Sequence, residues 1–281
     1  MTSLPKLAIL TASYNRLVCL SRLHRSLHEQ NTSLDWIHVV VDDASEPVIE
    51  ACQLDTTLGR LNFSRNERNV GPLVTRNRAI EKALALSVDL VAFVDDDDYV
   101  LPDFFEYVVD MWNEQRSVGW YVSRCRFAGP CNPGTEAWPD ADAVYDWFDD
   151  MQLQRRFGAD VMHVVSATRL AHVRFSTWGR YQREWTFLAR LANEGGFFAM
   201  NRVTKVSTYS IDGITLSRRG IAPDFVTCWS YVSKPAVIVY HRPGSPLAWV
   251  ALLRQLIRFP FRIAVLGLNR MVRRSDGNPG I

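Results

Sequence analysis

The sequence predicts an α/β fold: a Rossmann-like, mostly parallel sheet flanked by helices, followed by a C-terminal amphipathic helical tail. Three observations predict it. Short apolar runs alternate with segments whose leucines recur at helical spacing, the pattern of βαβ units. Three strand-like runs end directly in polar clusters, Thr11–Arg16, Asp42–Ser45 and Asp95–Asp98, and such sheets bind ligands beyond the carboxyl ends of their strands. Around Pro243–Pro246 the pattern changes to an apolar segment punctuated by arginines.

In order, Leu7–Thr11 reads as a buried strand, and Leu17, Leu20, Leu23 and Leu27 mark a helix. Trp36–Val41 is a second strand and Leu61–Ser64 a weak third. Pro72, suited to a first helical turn, opens a helix whose buried face carries Leu73, Ile80, Ala83 and Leu84. Val88–Val94 is the next strand, and Pro102 starts a helix that runs through Met111. The second half is less regular. Val118–Phe127, Val161–Ser166 and Val203–Tyr209 read as strands, Trp185–Ala192 as a helix and Gly129–Asp142 as a loop. This divides the chain into a sheet domain, residues 1–243, with a regular half at 1–127 and a less regular half at 128–243, and a basic tail, residues 244–281.

The chain has 281 residues, 47% of them hydrophobic, enough for one substantial core. A net charge of +2 gives no reason to expect nucleic acid as a partner. The five cysteines are odd in number and lack C-x-x-C spacing, which suggests reduced thiols in a cytoplasmic protein. No signal peptide is expected, and no uninterrupted apolar run approaches the ~18 residues of a spanning helix. From Arg254 to Arg274 there are six arginines and no acid. That excess suggests an anionic partner, and peripheral contact with an anionic membrane surface is expected of it. Pro260 should kink or split the tail helix.

Four motifs carry chemistry. Asp95-Asp96-Asp97-Asp98 follows an apolar strand. Adjacent carboxylates repel unless a cation relieves them, and strand alternation would turn Asp95 and Asp97 to one side. Two such groups suit a hard divalent ion, Mn²⁺ or Mg²⁺, that also binds substrate phosphates. Asp42-Asp43-Ala44-Ser45 ends another strand; one carboxylate could accept from the imide of uracil while the other holds the turn. Thr11-Ala12-Ser13-Tyr14-Asn15-Arg16 offers a ring to stack on a base and hydroxyls to bond it. Asn69-Val70-Gly71-Pro72, followed by Thr75-Arg76-Asn77, brings a guanidinium suited to a base or diphosphate. Each has a plainer reading, as a helix cap or a solvated turn.

In this order and spacing the four motifs resemble those of the family 2 inverting glycosyltransferases of the GT-A fold. The resemblance spans Pro5 to Leu191 and rests on Thr11, Tyr14 and Asn15, on Asp42, Asp43 and Ser45, on Asn69, Gly71, Arg76 and Asn77, and on Asp95 and Asp97. It implies that Thr11, Ala12, Tyr14, Asn15 and Asp43 hold the nucleotide, with Arg76 near the base. Asp95 would contact the ribose or metal, Asp96 the nucleotide, and Asp97, with Asp95, would ligate a divalent ion. It also implies a general base at the start of a later helix, which Glu184 in Gln182–Leu191 supplies; Asp160 and His163 are next in line. Ala44 departs from the family, which favours glycine there, and Trp185 stands where a second acid is common. The Q-x-x-R-W signature of processive synthases is absent, so a single transfer is implied.

The expected function is thus non-processive, inverting transfer of one sugar from a nucleotide diphosphate, UDP above all. The acceptor would be a glycan or lipid-linked hydroxyl in cell-surface polysaccharide or glycolipid assembly, and the enzyme a peripheral protein or homodimer. The alternatives are a sugar nucleotidyltransferase, disfavoured because Thr11–Arg16 has no glycine, and a non-catalytic nucleotide-sugar-binding protein. His163, Trp178 and His241 are secondary candidates for acceptor or diphosphate contacts. Trp138 and Trp147 join Trp178 as candidate sugar-stacking rings.

Overall fold

The computed structural model describes residues 3–54, 60–128, 137–158, 160–177, 184–208 and 225–275. Their strands are β1 (Lys6–Ser13), β2 (Asp35–Asp42), β3 (Leu61–Arg65), β4 (Leu90–Phe93), β5 (Tyr99–Val100), β6 (Trp120–Ala128), β7 (Ala143–Tyr145), β8 (Val161–Ser166) and β9 (Phe197–Thr208). They form one sheet in the order β3-β2-β1-β4-β8-β6-β9-β5, with β7 also on β9. β3, β2, β1 and β4 are mutually parallel, β8 runs against β4 and β6, and β9 is parallel to β6. Among the described residues, β5, β7 and β8 alone oppose the common direction.

The helices are α1 (Leu17–His28), α2 (Pro72–Ala85), α3 (Phe104–Gln115), α4 (Ala167–Leu170), α5 (Glu184–Asn193), α6 (Phe225–His241) and α7 (Pro246–Ser275), with a π-helical turn at Trp147–Leu153. Strand alternation sorts the core into two layers. Leu7 and Ile9 of β1 pack with Leu23 and Leu27 of α1 and Phe104 and Val108 of α3. Ala8 and Leu10 pack on the other face with Leu73 and Ile80 of α2, Phe187 of α5 and Trp147. Trp147 is fully buried, which removes it as a sugar platform, and Trp138 stands edge-on to Phe157.

After β1 the chain builds outward through β2 and β3, then returns to place β4 on the other side of β1. This reversal opens a crevice at the carboxyl ends of β1 and β4. β8 enters the sheet between β4 and β6, so residues 1–127 and 128–243 share one sheet.

The expected helical tail is present as α7. α7 continues through Pro260 instead of splitting there. Proline removes the bond to the carbonyl four residues earlier; that residue, Leu256, lies on an exposed part of the helix, where water can satisfy the group. α6 carries its own internal proline, Pro235, and packs along α7. No described helix is long and apolar enough to cross a membrane. Cys19, Cys52, Cys125 and Cys228 are free thiols.

Candidate active site

The crevice gathers the loops after β1, β2 and β4 with the start of α5. The Asp95–Asp98 segment is not extended. β4 ends at Phe93 and the chain turns at Asp96–Asp97, so strand alternation does not govern these side chains. Asp96 and Asp97 converge on one arginine: Arg16 Nη1 donates to Asp96 Oδ1 at 2.9 Å and to Asp97 Oδ2 at 2.7 Å. Ser13 Oγ adds a hydrogen bond to Asp96 Oδ2 at 2.9 Å. Asp95 faces the other way, accepting from Arg76 Nη2 at 2.5 Å, while Arg76 Nη1 donates to Glu184 Oε1. Arg76 therefore holds together the first acid of the cluster and the expected base.

The Arg76 fork is itself built from the sequence around it. Asn77 grips the backbone of Phe175 in both senses: its Nδ2 donates to Phe175 O at 2.9 Å and its Oδ1 accepts from Phe175 N at 2.8 Å. The Phe175 ring lies 5.7 Å from the Arg76 guanidinium and stacks at 4.0 Å on Phe187 of α5. Phe93, at the end of β4, meets Phe187 edge-on. An aromatic floor thus links β4, α2 and α5 beneath Arg76. Burial opposes the Arg76 charge, but Asp95 and Glu184 outweigh it and hold the guanidinium pKa above its usual value.

Behind the turn lies a second network. Asp98 accepts from Lys205 Nζ at 2.5 Å and from Thr208 N at 3.0 Å. Asp160 accepts from Ser207 Oγ at 2.6 Å and lies 3.4 Å from Lys205 Nζ. Arg22 Nη2 and Thr208 Oγ1 both donate to the Asp97 carbonyl. Asp98 is thus a structural acid tied to β9. Burial pushes the Asp98 carboxyl up to about 6, with Lys205 pulling it down. Burial, then the charge of Asp95, pushes Asp97 up to about 6 against the pull of Arg16. Burial likewise raises Asp96.

On the side of the crevice expected to take the nucleotide, Tyr14 is 45% exposed, so its ring is open to stacking. Asn15 accepts from Glu46 N at 2.7 Å and donates its own N–H to Ser45 Oγ at 2.7 Å; it ties two loops together. Ala12 is half-buried at the end of β1. Asp42 holds its turn by accepting from Ser45 N at 3.1 Å and from Arg65 at 2.5 Å. Asp43 accepts from Asn66 Nδ2 at 2.8 Å, Val70 N at 2.9 Å and Gly71 N at 2.8 Å. Three of the four acceptor positions of that carboxylate thus organise the Asn66–Gly71 loop. One remains. Ala44 has φ +63°, the left-handed region that glycine enters at no cost, which accounts for the glycine expected at this position.

The Thr11 side chain turns into the sheet. It is fully buried, and its hydroxyl donates to Val94 O at 3.0 Å. A carbonyl can only accept, and this sets the sense of a buried string. His38 Nε2–H must donate to Thr11 Oγ1 at 3.0 Å, and His24 Nδ1–H to His38 Nδ1 at 2.9 Å. His28 Nε2–H then donates to His24 Nε2 at 3.0 Å. Burial, with His24 and then His28, holds His38 well below the usual histidine range. Thr11 fixes the floor between β1 and β4 and acts as a positioning residue.

The secondary candidates divide. His163, paired with Phe93 across β4 and β8, accepts at Nδ1 from Trp120 Nε1 at 3.2 Å, and burial lowers it to about 4. It is a partly buried histidine held by one hydrogen bond from Trp120. His241 stacks on Phe148 at 4.4 Å, and neighbouring Arg242 pairs with Asp146 and Asp149 at 2.6 Å; both fasten α6 to the π-helical turn. Trp178, Gln182 and Arg183 lie outside the described residues. Sequence reasoning missed Arg16, Phe175 and Lys205. Only Arg16 carried a signal, a lone cation following the Tyr14-Asn15 loop.

Among the described residues no three His, Cys, Asp or Glu side chains form a ready metal site. Asp95 and Asp97 are of the donor type that a hard ion takes together with phosphate and water oxygens, but each is turned to a different arginine, Arg76 and Arg16, so the expected common side is not formed in this arrangement. Around the turn, among the described residues, six carboxylates (Asp95–Asp98, Asp160, Glu184) meet four cations (Arg16, Arg22, Arg76, Lys205). A diphosphate would add to that negative excess.

Comparisons with known proteins bear on the fold and the family. S. aureus TarS aligns over 92% of this chain and 43% of its own, at 17% identity and TM-score 0.64. This chain therefore spans less than half the length of that one. S. aureus TarS 1–349 in complex with UDP-GlcNAc gives 18% identity and TM-score 0.64 over 92% of this chain and 72% of that one. The same protein in complex with UDP gives 17% and 0.62 over 90% and 71%. At such identities the likeness concerns the fold, which is GT-A. No curated protein matches the sequence. Residues 8–171, more than half of the chain, match the model described as Glycosyl transferase family 2; the chain belongs to that family.

Proposed function

We propose that the protein is a non-processive, inverting glycosyltransferase that moves one sugar from a uridine diphosphate sugar to an acceptor hydroxyl. The observation that carries the reading is the Arg76 fork, which joins Asp95 of the acidic turn to Glu184 at the first turn of α5. In this reading the fork keeps a proton acceptor, Glu184, near the acidic turn at which the leaving diphosphate would sit. The UDP and UDP-GlcNAc in the TarS complexes support uridine as the base.

In this reading Tyr14 stacks on the uracil and the remaining acceptor position of Asp43 takes its imide N–H. A divalent ion, Mn²⁺ or Mg²⁺, held by Asp97 and Asp95, would supply charge neutralisation for the leaving diphosphate. Arg16 and Arg76 position the acidic turn before the donor arrives. Glu184 takes the acceptor hydroxyl proton as that oxygen attacks C1. The C1–O bond to the diphosphate breaks in the same displacement, the anomeric centre inverts, and UDP leaves with the bonding pair. The acceptor is a glycan or lipid-linked hydroxyl of cell-surface polysaccharide or glycolipid assembly, and the compartment is the cytoplasm.

The test is UDP release from a panel of UDP-sugars with and without Mn²⁺ or Mg²⁺. Asp97→Ala should lose at least about two orders of magnitude in rate. Full activity of that variant in chelator would remove the metal from the mechanism. Release of pyrophosphate in place of UDP would favour the nucleotidyltransferase reading.

A further inference from the structure

Helix α7 has a covered face and an open one. On the covered side Ala248 is fully buried, the Phe259 ring lies 6.3 Å from Trp229 of α6, and the Arg262 guanidinium sits 4.0 Å over the Tyr231 ring. The opposite side carries Trp249, Val250, Leu253, Leu256, Ile257 and Phe261, all exposed, Ile257 at 68% and Phe261 at 70%. At roughly 100° per residue these six span an arc of about 140°. Exposed Arg254 and Arg258 fall along one edge of that arc. A helix that merely packed on the domain would turn this strip inward and its polar side to water. Here α6 takes the mixed face and the apolar face is left outside.

We propose that the open face of α7 docks the protein on an anionic membrane surface. The helix lies in the interface, because nothing in it is long and apolar enough to span. Its apolar strip enters the headgroup boundary, and Arg254 and Arg258 meet lipid phosphates at its margin. Charge decides the occupant. The whole of Pro246–Ser275 contains six arginines and no acid. A second copy packing its own α7 on this one would cover the strip yet bring no carboxylate to those arginines. An anionic bilayer satisfies both parts of the surface. The proposal stands independently of the donor and base assignments.

The experiment is flotation of the full chain with phosphatidylcholine vesicles, with and without phosphatidylglycerol, at low and high salt. The chain should float with the anionic vesicles at low salt and bind at least about tenfold less to neutral vesicles or in high salt. I257D/F261D changes two exposed side chains outside the candidate active site. It should keep its melting temperature and UDP release while losing at least about tenfold in vesicle binding. V18D, at an exposed valine on α1, should float normally. Failure of the full chain to float on anionic vesicles at low salt overturns the proposal. So does equal flotation on neutral and anionic vesicles. A concentration-dependent dimer abolished by I257D/F261D, with no vesicle binding, would make a second copy the occupant.

Discussion

Replacing Glu184 by glutamine separates what this side chain holds from what it does. Its side chain is 59% exposed and pairs with Arg76, so the pair is worth about 0.2–1 kcal/mol. Glutamine keeps an oxygen for the Arg76 N–H, so stability should change by less than about 1 kcal/mol and the melting temperature by a few degrees at most. In the proposed reading the UDP contacts lie on Tyr14 and Asp43, so donor affinity should stay within about threefold. The amide cannot take a proton, and turnover should fall roughly 10²–10⁴-fold, about 3–5 kcal/mol of barrier. The assay combines calorimetry with UDP, a melting curve, and UDP release under saturating UDP-sugar. Turnover above about a third of the unmodified rate would refute the base assignment and make Asp160 the next candidate. A loss of UDP affinity matching the loss of turnover would make Glu184 a binding residue and refute it as well.

Three further outcomes are expected. UDP should bind at least about tenfold more tightly than GDP by calorimetry, a difference of ~1.4 kcal/mol, and GDP binding the tighter would contradict the role given to Asp43. His163→Asn keeps an oxygen for the Trp120 N–H but removes a group that burial holds near 4. The unfolded chain takes up that proton below about pH 6.5 and the folded chain does not until about pH 4, so this histidine costs stability as pH falls. Between pH 6.5 and 4.5 the unmodified protein should lose about 2–3 kcal/mol more than the variant in urea titrations, and parallel curves would refute the argument. Lys205→Met strands Asp98 in a pair whose side chains are both 5% exposed, so it should destabilise by about 3–5 kcal/mol in the same titrations; a change below ~1 kcal/mol would place the pair in solvent.

Where the sequence was informative, local chemistry decided the structure. Pro72 opens α2, and β8 spans the predicted Val161–Ser166, because a proline at a first turn and an apolar β-branched run each constrain their own neighbourhood. The acidic clusters could be assigned to one edge of the sheet because each follows a strand. What stayed hidden depends on distant partners. Arg16 reads as a loop residue until Asp96 and Asp97 arrive eighty residues later. Lys205 reads as an ordinary strand lysine until Asp98 buries it. Thr11 was expected to reach the base beside Tyr14, but its hydroxyl is turned toward the end of β4. β5 and β7, two and three residues long, are too short to show a period. α6 is apolar around much of its circumference and contains Pro235, so it shows neither a face nor an uninterrupted helical pattern.

The insertion of β8 beside β4 has a consequence for synthesis on the ribosome. β1, β2, β3 and β4 can pair in the order in which they emerge. The other edge of β4, Leu90–Phe93, waits for Val161–Ser166, about seventy residues later. At ~5–20 residues per second that is several seconds or more, during which an apolar strand edge stands open beside four aspartates. Unpaired edges of this kind recruit other chains, and charges at their ends discourage it. The carboxylates assigned to the donor site therefore have an earlier occupation: they are the gatekeepers of the strand that delivers them.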